Sequence, residues 1–428
     1  MNIQLFLTGW LIAIIVLCFI KLKWAVALFI AYIMLVPYIN LGLPGLGTGD
    51  NLIRLIMLLC CCKEIIRSRL RFCFRPLIPF LLYFMVCFLL IPFQDGVPMG
   101  HMLTEWRKDA MNVLLLPIII WNLVRIDSTS VVLFRNVMIV CIVVSIGYGL
   151  YLTTLGGWNP YTMYFLQFRE DFTNFESYYE ASGQGRLFGR ISSVYIHPMN
   201  FALFIGLAFI YLYSIRYHLG KIALMILLCS TFIMAIVCGV RSVLGGLLVA
   251  LIYYLLKKRS FKLFFSIILI GIILAFSISF MPDVSSYLSS MSSGENVRGS
   301  SIEMRLEQLE GAFGEASKSP LSGLGYKWTD YYQSTKGDHP VCLAFESLIF
   351  VIICNSGLIG VVLWIYLILS VFSILKRMKV REIDLVRSLL VYYISYSMIT
   401  GEYGYMKTFL IFYILMLSEN CLIKSNNI

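Results

Sequence analysis

Apolar runs approaching the roughly 20 residues that an α-helix needs to cross a bilayer recur from Ile3 to Ile423, separated by short polar breaks. They predict spans near 3 to 20, 24 to 40, 52 to 66, 77 to 93, 111 to 124 and 131 to 155. A second group follows near 198 to 215, 222 to 238, 242 to 256, 263 to 281, 344 to 375, 385 to 400 and 406 to 423. The stretch from Ile222 to Leu256 is too long for one crossing, and Gly239 to Arg241 divides it. About twelve to thirteen crossings result, and the first two are short enough to be a tilted or re-entrant pair.

Between these spans only two connections are long, 156 to 197 and 282 to 340. The predicted organisation is therefore N-terminal membrane helices (1 to 155), a first long loop (156 to 197), central membrane helices (198 to 281), a second long loop (282 to 340) and C-terminal membrane helices (341 to 428). The second loop contains a helix signal. Ser300 to Glu303 reads as a capping box, Ile302, Leu306, Leu309, Phe313 and Ala316 repeat at helical spacing, and Pro320 follows the end. An amphipathic helix is expected there, lying on the bundle or on the membrane surface.

Composition agrees with this pattern: of 428 residues 60% are hydrophobic and 13% charged, and the mean hydropathy is +0.85. Such a chain cannot enclose one core behind a wet surface, which excludes a soluble enzyme, a nucleic-acid-binding domain and a secreted disulfide scaffold. The twelve cysteines form neither a C-x-x-C pair nor a Cys/His cluster, so no metal is expected. The segment from Met1 to Ile20 lacks a basic leader and a small-residue cleavage pattern, and reads as a retained anchor.

The net charge of +11 is a topology signal. Alternate connections hold 21 of the 34 Lys and Arg residues, from Lys21 to Lys424, with five of the 23 acids. That side carries +16 and the remainder −5. Positive residues stay cytoplasmic, so both long loops face outward and the chemistry is expected there. The first loop is rich in aromatics, among them Trp158, Tyr161, Tyr164, Phe165, Phe168, Phe172, Phe175, Tyr178 and Tyr179. They suit an interfacial belt or a sugar-stacking surface.

Arginines on the outward side run against the positive-inside bias and are the candidate chemistry. Arg241 and Arg305 have no acidic residue three or four positions away. Arg186 and Arg190 lie just before the helix that opens at Pro198. Each is a snorkelling anchor or part of an anion site, and several together fit phosphate, which guanidinium groups bind in a bidentate way. Glu346, just inside an apolar segment, must be paired, protonated or in a wet cavity. It is a candidate general base or a structural ion-pair partner, with His339 next in line as a base.

These positions resemble the O-antigen ligase and polymerase superfamily, the Wzy and WaaL proteins of bacterial surface polysaccharide assembly. The stretch from Val237 through Arg241 to Gly246 looks like the family's Ser-Arg-Gly helix start. Arg305 to Ala312, followed by Ser319 to Gly325, is similar to its loop helix and Pro-Leu-x-Gly-x-Gly turn. Phe345 to Phe350, leading into Asn355 to Gly360, looks like its His-Asn element and Gly-Leu-Ile-Gly helix. The resemblance covers Arg186 to Val362. Where ligases show His-Asn this chain has Glu346 and Ser347, as many polymerases do.

The resemblance implies an integral-membrane glycosyltransferase of GT-C type in the inner membrane, with its active site at the periplasmic face. Its donor and acceptor would be undecaprenyl-pyrophosphate-linked oligosaccharides, with no cofactor, metal or nucleic acid. A chain-length regulator protein is the partner such a polymerase would have, for O-antigen or capsule. On this reading Arg186, Arg190, Arg241 and Arg305 hold the donor pyrophosphate, and Glu346 or His339 takes the acceptor proton. A ligase acting on lipid A core and a lipid-linked oligosaccharide flippase are the alternatives; the absence of an internal repeat and the large outer loop weigh against a carrier.

Overall fold

A computed structural model describes residues 3–36, 42–43, 47–166, 190–258, 302–378, 380–402 and 404–422. It is an all-α polytopic membrane protein; the sheet among the described residues is a two-residue ladder pairing Gly42–Leu43 with Gly47–Thr48. The N-terminal helices are α1 (Ile3–Ile20), α2 (Leu22–Leu35), α3 (Gly49–Arg67), α4 (Ile78–Leu90, extended by a 3₁₀ turn at each end), α5 (Met99–Ile126) and α6 (Thr129–Thr154). The short α7 (Pro160–Leu166) precedes the central helices α8 (Pro198–Ser214), α9 (Lys221–Val237) and α10 (Arg241–Lys258). Then come α11 (Ile302–Ala316), α12 (Trp328–Lys336), α13 (Leu348–Arg377), α14 (Ile383–Thr400) and α15 (Tyr405–Leu422).

Twelve of these described helices occupy predicted spans; the span expected at 263 to 281 lies outside the described residues. Four are long and apolar enough to cross a membrane by length and composition alone: Arg75–Phe93, Met99–Ile126, Thr129–Thr154 and Leu348–Arg377. The predicted break falls between α9 and α10, where Gly239 takes φ +69°. Three elements differ from expectation. The fifth helix starts at Met99, not near 111, because Pro98 supplies an extended residue before it and the helix then runs on through Pro117 to Ile126. At 28 residues it runs roughly 42 Å, so its first turns carry polar residues at and beyond the bilayer boundary. Neither α7 nor α12 was expected inside the long connections.

Helices α8 and α15 are buried on nearly every side, as expected of spans surrounded by protein. Phe201, Ala202, Leu203, Phe204 and Ile205 are closed off in succession, as are the residues from Phe409 to Met416. Peripheral helices instead expose large apolar side chains, such as Phe19, Leu59, Ile222 and Leu369, where lipid takes the place of core. Helices α8, α10 and α14 close together around Tyr392, whose hydroxyl donates to the Ala202 carbonyl at 3.2 Å. Gly206 leaves room for that ring; a Cβ there would collide with it.

The charge pattern proves to be a spatial one. Lys23 meets Asp127 at 2.8 Å, Arg135 meets Glu419 at 3.2 Å, Arg216 meets Glu382 at 2.9 Å and Lys258 meets Glu382 at 3.7 Å. Arg125 donates to the Arg71 carbonyl at 3.0 Å. Each contact joins two connections assigned to the same, basic side, so those connections converge at one end of the bundle.

At the opposite end α11 lies on α13. The predicted apolar stripe of α11 is only part of its packing face: Leu309 and Ala316 turn inward with Gln308 and Ala312, while Leu306 and Phe313 are exposed. Small residues decide this. Gly311 brings the helix so close to Val341 that an added Cβ would meet its Cγ1 at 2.8 Å. The Cys354 thiol donates to the Ala312 carbonyl at 3.6 Å.

Candidate functional site

The site is organised by a break inside α13. Gly357 takes φ 58°, ψ −151°, a conformation that side chains disfavour and that interrupts the helical ladder. A broken helix within a membrane protein must find other partners for its freed backbone groups. Here residues 320 to 325 supply them. Leu358 N–H donates to the Pro320 carbonyl at 2.9 Å and Ile359 N–H to Leu321 at 3.1 Å. In return Leu324 N–H donates to the Cys354 carbonyl at 2.8 Å. The two glycine-bearing stretches, Pro320 to Gly325 and Asn355 to Gly360, are thus halves of one joint.

Gln94, 5% exposed, locks that joint to the N-terminal helices. Its amide nitrogen donates to the carbonyls of Asn355 at 2.9 Å and Ser322 at 2.5 Å, and its oxygen accepts from Tyr326 N–H at 3.0 Å. Gly96 N–H adds a bond to the Leu324 carbonyl at 2.8 Å. Asn355 Oδ1 accepts from Thr329 N–H at 3.0 Å, which orients the start of α12.

Beneath the joint is a polar chamber. Lys327, held in the left-handed region at φ 56°, lies 3.3 Å from Asp109 and 3.2 Å from Asp330. The Tyr326 hydroxyl donates to Asp109 Oδ2 at 2.9 Å. Glu402 accepts from Met406 N–H at 2.7 Å, Gly404 N–H at 2.9 Å and the Tyr393 hydroxyl at 3.2 Å, capping α15. These groups and Tyr83, Ser356 and Trp364 border a cavity of about 90 Å³. A larger cavity of about 250 Å³ shares Asp109, Val113 and Gly404 with it.

Burial is the largest influence on Lys327 and pulls its pKa down, yet Asp109, Asp330 and Glu402 together outweigh it and hold the amine charged. Burial, then the Asp109 charge, pushes the Tyr326 hydroxyl up and keeps it a donor. Burial also raises Glu402, against the two backbone N–H groups that favour its charged form.

The sequence-predicted residues lie around the neighbouring end of α14. Arg190 is half-buried, its Nε has no hydrogen-bond partner, and no carboxylate pairs with it among the described residues. Its charge reaches His197 and Tyr396. Tyr396 donates to the Met199 carbonyl at 2.6 Å and lies beside Ser242, the residue after Arg241. Arg241 is exposed at the first position of α10. The Ser347 hydroxyl donates to the Met398 carbonyl at 2.8 Å, bringing the half-buried Glu346 to the same end of α14. Arg190, Arg241 and Glu346 therefore share one neighbourhood.

The other candidates stand apart. His339 is 7% exposed in the cap; its Nδ1 accepts from the N–H groups of Val341 and Cys342, its Nε2 faces Glu315 at 3.6 Å, and its ring packs on Tyr332 and Phe345. That geometry shapes the turn before α13. The backbone of Arg305 is in α11, but its side chain lies outside the described residues, as do Arg186 and the aromatics from Phe168 to Tyr179. Of the remaining aromatics Tyr161 is tied down, donating to the Leu35 carbonyl at 2.8 Å.

Sequence reasoning missed Asp109, Lys327 and Glu402. Asp109 and Glu402 fell in segments read as short connections, and Lys327 in the second long loop. It also missed Arg54 and Lys407, although a lone cation inside a predicted span is a functional signal.

A family model described as O-antigen ligase matches residues 223–365, about a third of the chain. Those residues include Arg241, Arg305, Lys327, His339, Glu346 and the joint at Gly357; Arg190, Asp109 and Glu402 lie outside them. None of the curated proteins matches the chain. The family match supports a membrane enzyme of the O-antigen ligase/polymerase type, without separating polymerase from ligase, and lends nothing to a flippase.

Proposed function

We propose that this chain is a polysaccharide polymerase that joins lipid-linked repeat units at the end of the bundle opposite the basic connections, the periplasmic face of the inner membrane. The observation that carries the reading is the meeting of Arg190, the Arg241 helix start and the Glu346 segment at one end of α14. Arg190 and Arg241, with Arg186 and Arg305 as the sequence assigns them, hold the pyrophosphate of an undecaprenyl-linked donor. An acceptor sugar hydroxyl attacks the donor's anomeric carbon, the bond from that carbon to the phosphate oxygen breaks, and its electron pair leaves on the pyrophosphate. The acceptor proton passes to Glu346 in preference to His339, whose Nδ1 already accepts two backbone bonds.

A lipid pyrophosphate is already a good leaving group, so guanidinium groups that neutralise it and orient the acceptor supply most of what the transfer needs. Replacing Arg241 or Arg190 with alanine is expected to abolish chain lengthening in membranes that retain the protein. Normal ladders of polysaccharide length in both variants would overturn the clamp. A ligase is the second reading, supported by the description of the matched family. Purified enzyme given lipid-linked repeat units alone separates the two, since only a polymerase lengthens chains without a lipid A core acceptor.

A further inference from the structure

The larger cavity has a wall that the reaction above does not use. Arg54 of α3 is 0% exposed. Its Nη1 donates to Asn51 Oδ1 at 3.0 Å and to Asn112 Oδ1 at 2.6 Å, and its guanidinium carbon lies 5.3 Å from the Phe29 ring centre. Its Nε and Nη2 are buried with no hydrogen-bond partner among the described residues. Leaving two donors of a buried cation unmade is costly. Asn112, which takes the Nη1 bond, lines the 250 Å³ cavity.

Lys407 lines the same cavity, and no hydrogen bond or ion pair to it occurs among the described residues. Asp50 acts on both cations and accepts a bond from Tyr32. Asp109, at the border with the smaller cavity, is occupied by Lys327 and Tyr326. Among the described residues these two cations therefore share one carboxylate, Asp50. Asn200 in the first turn of α8, and Tyr405 and Thr408 in the first turn of α15, also line the space, so two helix N-termini add positive potential.

We infer that this cavity is a second phosphoryl-binding site, formed by Lys407 and Asn200 at its wall with Arg54 behind Asn112. It takes the pyrophosphate group of a lipid, either a second lipid-linked saccharide or the lipid pyrophosphate that a transfer releases. The site stands on the cavity and its cations; its assignment to a second substrate or product rests on the polymerase reading. Tyr396, within reach of the Arg190 charge, and Tyr405, on the cavity wall, have ring centres 5.7 Å apart, so the two phosphoryl sites are neighbours, as a reaction between two pyrophosphate-bearing lipids requires.

The test uses the full chain in nanodiscs, titrated with inorganic pyrophosphate and, in a second arm, with farnesyl pyrophosphate. The wild type is expected to show two binding events. K407Q should lose one or weaken it at least tenfold, K407R should keep both, and R190Q should lose the other. If K407Q binds as the wild type does, the cavity site is wrong and the polymerase reading stands. If K407Q loses one event while R190Q loses none, the cavity site stands and the donor clamp falls. Displacement of inorganic pyrophosphate from the Lys407 event by the farnesyl probe marks a lipid-borne group; failure to displace it marks a site for the free anion and overturns the assignment to a lipid substrate or product. Should K407Q not fold, Asn200→Asp, which puts a carboxylate in the same wall, is read in its place with the same expectations.

Discussion

At the basic end of the bundle, charges meet across short connections: Lys23 and Asp127 are 35% and 36% exposed and reach one another at 2.8 Å. At the opposite end Asp109, Lys327 and Glu402 lie under a cap threaded into a broken helix, and Arg54 is closed off entirely. The outer Lys23–Asp127 pair tolerates change, because water can replace either partner. Arg54 is a charge held where water is scarce, so it depends on the partners the fold provides.

Gly323 offers the largest test of that contrast. Its φ of +74° and the Ser356 backbone nitrogen beside it leave no space for a side chain. Gly323→Ala is expected to cost more than about 3 kcal/mol, read as loss of monodisperse protein after extraction. Gly314→Ala, in open space on α11, should leave the yield unchanged. Equal behaviour of the two would show that the joint does not hold the cap.

Next in size, Asp109→Asn is expected to cost about 1 to 3 kcal/mol, because Lys327 keeps Asp330 at 3.2 Å as a charged partner. Lys327→Met alone should cost a similar amount, and the double variant should recover part of the loss. Thermal unfolding of all three checks this, and strict additivity would break the pairing.

A smaller effect is expected at His197. Burial and then Arg190 lower its pKa from 6.5 to about 4, and its Nδ1 accepts from Met199 N–H. The unfolded chain takes up the proton first, so stability is constant above about pH 6.5 and falls as pH drops towards 4. His197→Asn keeps an acceptor that does not titrate, and its melting temperature should fall less across that window. An unchanged slope would remove His197 from the account. Smallest of all, Lys23→Ala at the basic end should cost about 0.2 to 1 kcal/mol. A larger loss there would erase the distinction between the two ends.

The helices and the sidedness of the connections were legible because apolar length and the placement of Lys and Arg are local signals. The stretches at Pro320 and Asn355 were legible as motifs, but not as one joint, since their backbone bonds link positions some 35 residues apart. Asp109 was missed because Arg107, Lys108 and Asp109 look like a hydrophilic connection until α5 is seen to begin at Met99. Arg54 and Lys407 were passed over because one charge does not spoil an apolar window. The packing face of α11 was legible only in part: Leu309 and Ala316 of the periodic stripe face inward and Leu306 and Phe313 do not, because Gly311 and Ala312 decide how closely the helix approaches its neighbour.

The bonds between residues 320 to 325 and the interrupted α13 have a mechanical consequence. A flap that swings on hinges needs an edge free to leave, but this cover is sewn into the span by main-chain pairs on both sides of Gly357. Lifting it would strand those groups at about 1 to 3 kcal/mol apiece. A long-tailed lipid would therefore enter sideways, through a seam between helices and from within its own leaflet.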